Sequence, residues 1–106
     1  MAAPTPDDKT RFEIELEFVQ CLANPFYLNY LGQSKYLQDE SFLRYLEYLD
    51  YWRQPEYVRF LIYPSFSLNA LDLLRQPQFR LDILSPDTAK RIMDDMLGSI
   101  DSKSDS

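Results

Sequence analysis

Five internal prolines limit what this chain can become: Pro25, Pro55, Pro64, Pro77 and Pro86. A proline inside a helix removes a hydrogen bond and clashes with the preceding turn, and the residue before it resists the helical region. Any helices must therefore be short and must restart at these positions. Asn24-Pro25-Phe26-Tyr27, Gln54-Pro55-Glu56-Tyr57 and Gln76-Pro77-Gln78-Phe79 each place an aromatic residue two positions after the proline. The unequal spacing of these copies excludes a solenoid.

Between the prolines the residues favour helix. There are two glycines, many leucines and few valines, isoleucines or threonines, a balance that argues against a sandwich or barrel. The expected fold is all-α: a compact bundle of short proline-punctuated helices around one central aromatic-rich helix. That helix falls in the stretch Asp39 to Pro64 and runs from about Glu40 to Arg53. At about 100° per residue, Phe42, Tyr45, Leu46, Tyr48, Leu49 and Trp52 fill one broad arc. Leu43 and Tyr51 fall outside it, among Arg44, Glu47 and Asp50.

The rest of the chain is read around this helix. Residues 1–9 form a flexible arm, 10–98 a single helical domain, and 99–106 a disordered polar tail. Thr10 and Glu13 make a capping box, so the first helix starts near Arg11. Phe12 to Phe18 alternates in the manner of a strand. Helix is preferred because glutamate is a poor strand residue, because of the cap, and because the apolar run continues through Val19, Cys21 and Leu22. Glu15 lies inside the apolar arc of this helix. It is expected to be partly buried and partnered by Arg11, another arginine or a backbone N–H.

Asn24 caps a short helix that Gly32 stops, and Gln33 to Gln38 form a connection. A short helix runs from Pro55 through Ile62, another from Ser65 to Arg75. Gln76-Pro77 opens a turn carrying Phe79, Leu81, Ile83 and Leu84. Ser85-Pro86 caps the last helix, which Gly98 ends.

The sequence is poor in catalytic groups. It has no histidine, so histidine-based nucleophile activation and histidine metal sites are excluded. The single cysteine, Cys21, rules out an internal disulfide and a thiolate zinc site, and reads as a small core residue. Glu13, Glu15 and Glu17 point to different sides of a helix and cannot converge on one substrate. No glycine-rich phosphate loop is present. The chain is expected to be non-enzymatic, with no metal and no cofactor. A net charge of −6 without a basic cluster argues against direct nucleic-acid binding. No apolar run reaches the ~18 residues of a membrane span. The opening MAAPTPDDKT lacks the features of a signal peptide, so a cytosolic or nuclear protein is expected.

The aromatic residues remain. Tyr45, Tyr48, Tyr51, Trp52, Tyr57 and Tyr63 crowd one stretch, and most of them should pack in the core. Tyr51 and either Tyr48 or Trp52 are the better candidates for a surface that receives a partner. Rings with polar tips line the grooves that take proline-rich extended segments. The partner-binding residues expected are Tyr48, Tyr51, Trp52, Arg53, Tyr57 and Tyr63. On the residues alone, the chain reads as a small acidic helical binding module.

Long runs carry a resemblance. RFEIELEFVQCLANPFYLNYL (Arg11 to Leu31) resembles the opening motif of the Soh family, Mediator complex subunit 31. FLRYLEYLDYWRQPEYVRFLIYP (Phe42 to Pro64) and LDLLRQPQFR (Leu71 to Arg80) continue the match. The resemblance covers about Arg11 to Leu84. It implies a compact helical, non-enzymatic scaffold subunit of the Mediator middle module, acting in the nucleus in RNA polymerase II transcription. It also implies binding to the N-terminal proline-rich segment of Mediator subunit 7 and to other middle-module subunits. A free-standing helical adaptor that binds proline-rich peptides is the alternative.

Overall fold

A computed structural model describes residues 6–104, which form seven α-helices and two 3-10 segments. The helices are α1 (Pro6–Cys21), α2 (Pro25–Gln33), α3 (Glu40–Tyr48), α4 (Pro55–Val58), α5 (Pro64–Leu74), α6 (Pro77–Asp82) and α7 (Pro86–Ser104). The 3-10 segments are Tyr36–Gln38 and Leu49–Arg53. No strand occurs among the described residues, as the composition led us to expect.

Every internal proline opens a helix. At the first helical position the missing N–H would have no partner anyway, and the fixed φ already suits the helix. Only α3 starts without a proline, and there the Asp39 carboxylate accepts from the Ser41 N–H at 2.8 Å. Asn24 caps α2 in the same way, accepting from the Phe26 N–H at 3.0 Å.

The molecule measures 49 × 39 × 18 Å. Its short dimension is less than half of either of the others, so the helices form a flattened body. Val19 of α1 and Leu22 just beyond it, Leu28 and Leu31 of α2, Leu46 of α3 and Leu71 and Leu74 of α5 meet in one buried cluster, with Leu49 and Trp52 from the 3-10 segment and Ile83 beyond α6. Phe18 ties three elements together, its ring centroid lying 6.2 Å from Tyr27, 6.0 Å from Phe42 and 5.7 Å from Tyr45. Asn29 of α2 donates through Nδ2 to the Ile83 carbonyl at 2.8 Å, and Gln33 through Nε2 to the Leu84 carbonyl at 2.6 Å. These bonds satisfy carbonyls left open where α6 ends.

Several expectations are corrected. Helix α1 begins at Pro6, so residues 6–9 of the expected arm are helical, and Thr10 and Glu13 lie inside a helix rather than forming its cap. The first five residues lie outside the described range. Cys21 is exposed, because it ends α1 on the side away from Val19 and Leu22. Gly32 sits within α2 and does not stop it; the left-handed turn falls on Lys35, with φ of 69°. The glycine serves close packing instead, since a Cβ there would come within 3.0 Å of Leu84 Cδ2.

The expected central helix changes character at Leu49, where the α-helix gives way to a 3-10 segment through Arg53. Helix α4 ends at Val58 and leaves Ile62 exposed. Pro77 opens a true helix rather than a turn. Helix α7 continues past Gly98 to Ser104; the last two residues of the expected tail lie outside the described range. No helix among the described residues is long and apolar enough to cross a membrane.

Candidate functional site

The switch from α-helix to 3-10 at Leu49 builds the site. In a 3-10 segment residues three apart eclipse one another, with about three residues per turn. Leu49 and Trp52 therefore share one direction, and both are fully buried. Tyr48 and Tyr51 share another, and both hydroxyls reach the same carboxylate on α1. Tyr48 Oη lies 3.2 Å from Glu15 Oε1 and 3.1 Å from Oε2, and the Tyr51 hydroxyl donates to Oε1.

Glu15 is 4% exposed, on a helix whose neighbouring Ile14 is 59% exposed. Helix α1 thus places a charged residue inward beside an apolar one outward. A buried carboxylate is costly unless it is hydrogen-bonded, and the two phenols supply those bonds. The sequence reading placed Glu15 inside correctly but proposed Arg11 as the first partner. Arg11 instead pairs with Asp8, one turn back, at 3.7 Å.

Burial, the hydrogen bond to Glu15 and its negative charge, in that order, push the Tyr51 phenol far above its ordinary value. The same causes raise Tyr48. Tyr45 is raised by burial and then by the Glu15 charge. These phenols therefore stay protonated and act as donors. The Tyr48 and Tyr51 hydroxyls donate to Glu15, so they are not free donors for a partner.

Over this pair lies an open groove of about 460 Å³. Helix α1 contributes Asp8, Arg11, Phe12 and Glu15; the facing wall is Tyr48, Tyr51, Gln54 and Tyr57. Tyr57, in the first turn of α4, packs edge-on to Tyr51 at 4.7 Å between centroids. Below them Phe12 stacks on Trp52 at 5.4 Å. The rings brace one another where they line the groove.

The expected site residues divide. Tyr48, Tyr51 and Tyr57 come together in this groove. Trp52 is fully buried and supports the groove from beneath, because the 3-10 geometry turns it into the core. Arg53 points away. It donates from Nε to Asp50 at 2.8 Å and also pairs with Asp72 of α5, while Arg75 reaches Asp50 at 3.0 Å. The hydrogen bond with Arg53 holds the Asp50 carboxyl below its usual range, and that same bond raises Arg53.

Tyr63 lines a different groove, of about 310 Å³, with Gln20 of α1, Phe66 of α5 and Met93 and Met96 of α7. The groove residues not expected from the sequence are Asp8, Arg11, Gln54 and, central to its shape, Glu15 and Phe12. The signal for the last two was their place in the apolar arc of α1, which read as core. Among the described residues, no group of three or more His, Cys, Asp or Glu side chains is placed to hold a metal ion.

Comparison with known proteins bears on what such a groove serves. Residues 9–104 match the SOH1 family. A protein of Schizosaccharomyces pombe named Mediator of RNA polymerase II transcription subunit 31 is 58% identical over 96 residues, covering 91% of this chain and 68% of that protein. The proteins of the same name from Arabidopsis thaliana and Taenia solium are 51% and 47% identical over 74% and 86% of this chain. This chain spans 39% and 61% of their lengths. The family match covers nearly the whole chain, including both walls of the groove, and the chain belongs to the SOH1 family, that of Mediator subunit 31.

Proposed function

We propose that this chain is a non-enzymatic scaffold subunit of the Mediator coactivator complex, working in the nucleus in RNA polymerase II transcription. Within that complex it takes a place in the middle module and holds the N-terminal proline-rich segment of subunit 7. The observation that carries the second part is the groove lined by the rings of Tyr48, Tyr51 and Tyr57, with Phe12 stacked on the buried Trp52 behind it. A proline-rich segment is already extended and loses little entropy on docking, and its rings stack on aromatic faces. Family membership supports the first part. The net charge of −6, without a basic cluster in the sequence, argues against direct nucleic-acid binding and favours contact through protein partners.

The test is co-expression with the N-terminal part of subunit 7, followed by replacement of its prolines with alanine. Loss of the complex on proline replacement, and on Tyr51→Ala or Tyr57→Ala in a chain that still folds, is the expected result. Binding should survive moderate salt because the contact is largely apolar. A saturating partner should also raise the melting temperature, by an amount equivalent to ~2.7 kcal/mol at a hundredfold excess over Kd. Equal binding without the prolines would place the partner elsewhere.

A further inference from the structure

The groove holds more than ring faces. On its α1 wall lies a carboxylate that is almost wholly removed from water, yet no cation among the described residues stands within ion-pair distance of it. Glu15 is 4% exposed, and its partners are the neutral phenols of Tyr48 and Tyr51. An ionised carboxylate offers about four lone-pair positions, and each phenol has one proton to give. Two phenols therefore leave acceptor capacity open on a group that lines the groove. A buried charge without a countercharge is costly, so a cation arriving there gains more than it would at the surface.

Two further features of the groove favour a cation. Its walls are the rings of Phe12, Tyr48, Tyr51 and Tyr57, whose faces attract ammonium and guanidinium groups. The one cationic side chain that lines it, Arg11, is held by Asp8 at 3.7 Å, with both side chains more than half exposed. Asp8 pairs with the Arg11 head group, which is not within ion-pair distance of Glu15, although its charge still acts on the neighbouring Tyr48 phenol.

We propose that Glu15 is the specificity-determining carboxylate of this groove, receiving the head group of a lysine or arginine carried by the bound segment. The inference rests on the reading of the groove as the seat of an extended proline-containing segment. Prolines of that segment stack on the tyrosine faces, and the aliphatic stem of the basic residue passes between the rings to reach the carboxylate. The recognised ligand is then a proline-rich strand with one basic side chain, and a purely apolar proline strand is a poorer one.

The experiment is calorimetric titration of the full chain with short capped proline-rich peptides. One position in turn carries lysine, arginine, acetyl-lysine or norleucine. At one position the lysine or arginine peptide should bind roughly tenfold more tightly than the norleucine and acetyl-lysine peptides. In Glu15→Gln the ratio between the basic and norleucine peptides, both measured in the variant itself, should close to under about threefold whatever the variant's absolute affinity. The peptide-side comparison needs no variant, so it decides the question even if Glu15→Gln fails to fold. Wild type binding all four peptides equally at every position overturns the role of Glu15 and leaves the groove reading standing. Wild type binding none of them overturns both.

Discussion

The Tyr51 hydroxyl donates to the Glu15 carboxylate, joining the 3-10 segment to the middle of α1 across 36 residues of sequence. Tyr48 adds a second hydroxyl to the same group. These bonds tie the two walls of the groove together and hold both phenols as donors to Glu15. Stability and the shape of the candidate binding surface therefore share one residue.

Removing that residue should be felt in the free chain. Glu15→Ala strands the Tyr51 hydroxyl in a half-buried position, at a cost of about 1–3 kcal/mol. For a domain of this size each kcal/mol lowers the melting temperature by roughly 4–8 °C. Glu15→Gln keeps an acceptor and should lose less. Urea titration of both variants measures the difference; a Glu15→Ala protein as stable as wild type would mean that the phenols find other partners.

The raised phenols predict a pH dependence of definite sign. Tyr51, Tyr48 and Tyr45 all titrate above their ordinary value in the folded chain. A group raised on folding contributes stability that is complete below its unfolded value and is lost as pH climbs toward the folded one. Stability should therefore fall as pH rises above about 10, where the unfolded chain gives up phenol protons that the folded chain keeps. Denaturant midpoints across this range should drop less steeply in Tyr51→Phe than in wild type.

The two eclipsed core residues of the 3-10 segment should behave alike. Leu49 and Trp52 are both fully buried. Leu49→Ala should cost about 2–5 kcal/mol and Trp52→Ala about 3–5 kcal/mol. Since Phe12 stacks on Trp52, the Trp52 variant should also disturb the groove floor. Urea unfolding reads the stability, and intact stability in Trp52→Ala would contradict its burial.

The glycines give opposite expectations. Gly98 lies inside α7 with nothing within 4 Å of a Cβ built on it. Gly98→Ala should raise stability by about 0.5–1 kcal/mol through helix propensity alone. At Gly32 an added Cβ meets Leu84 Cδ2 at 3.0 Å and Ile83 Cγ2 at 3.7 Å. Gly32→Val should overpack this contact and destabilise by about 1–3 kcal/mol. Thermal melts of the two variants should move in opposite directions.

The sequence by itself determined that the chain is helical, and the prolines marked where most helices start, since a residue without an N–H fits only the first turn. Periodicity also put Glu15 inside, because the 3.6-residue repeat of α1 can be read without knowing what packs on it. The change to 3-10 at Leu49 was not legible. It depends on how Leu49 and Trp52 fit against α1 and α5, and local propensity hardly separates α from 3-10 over five residues. The wheel had already put Trp52 on the inner arc; what it did not show is that Tyr51, outside that arc, joins Tyr48 on one carboxylate. Which tyrosines share a groove, and that Tyr63 belongs to another, followed only from bringing segments distant in sequence together. A helical wheel carries the direction of each side chain from its own axis; it holds no record of the neighbour that direction will meet.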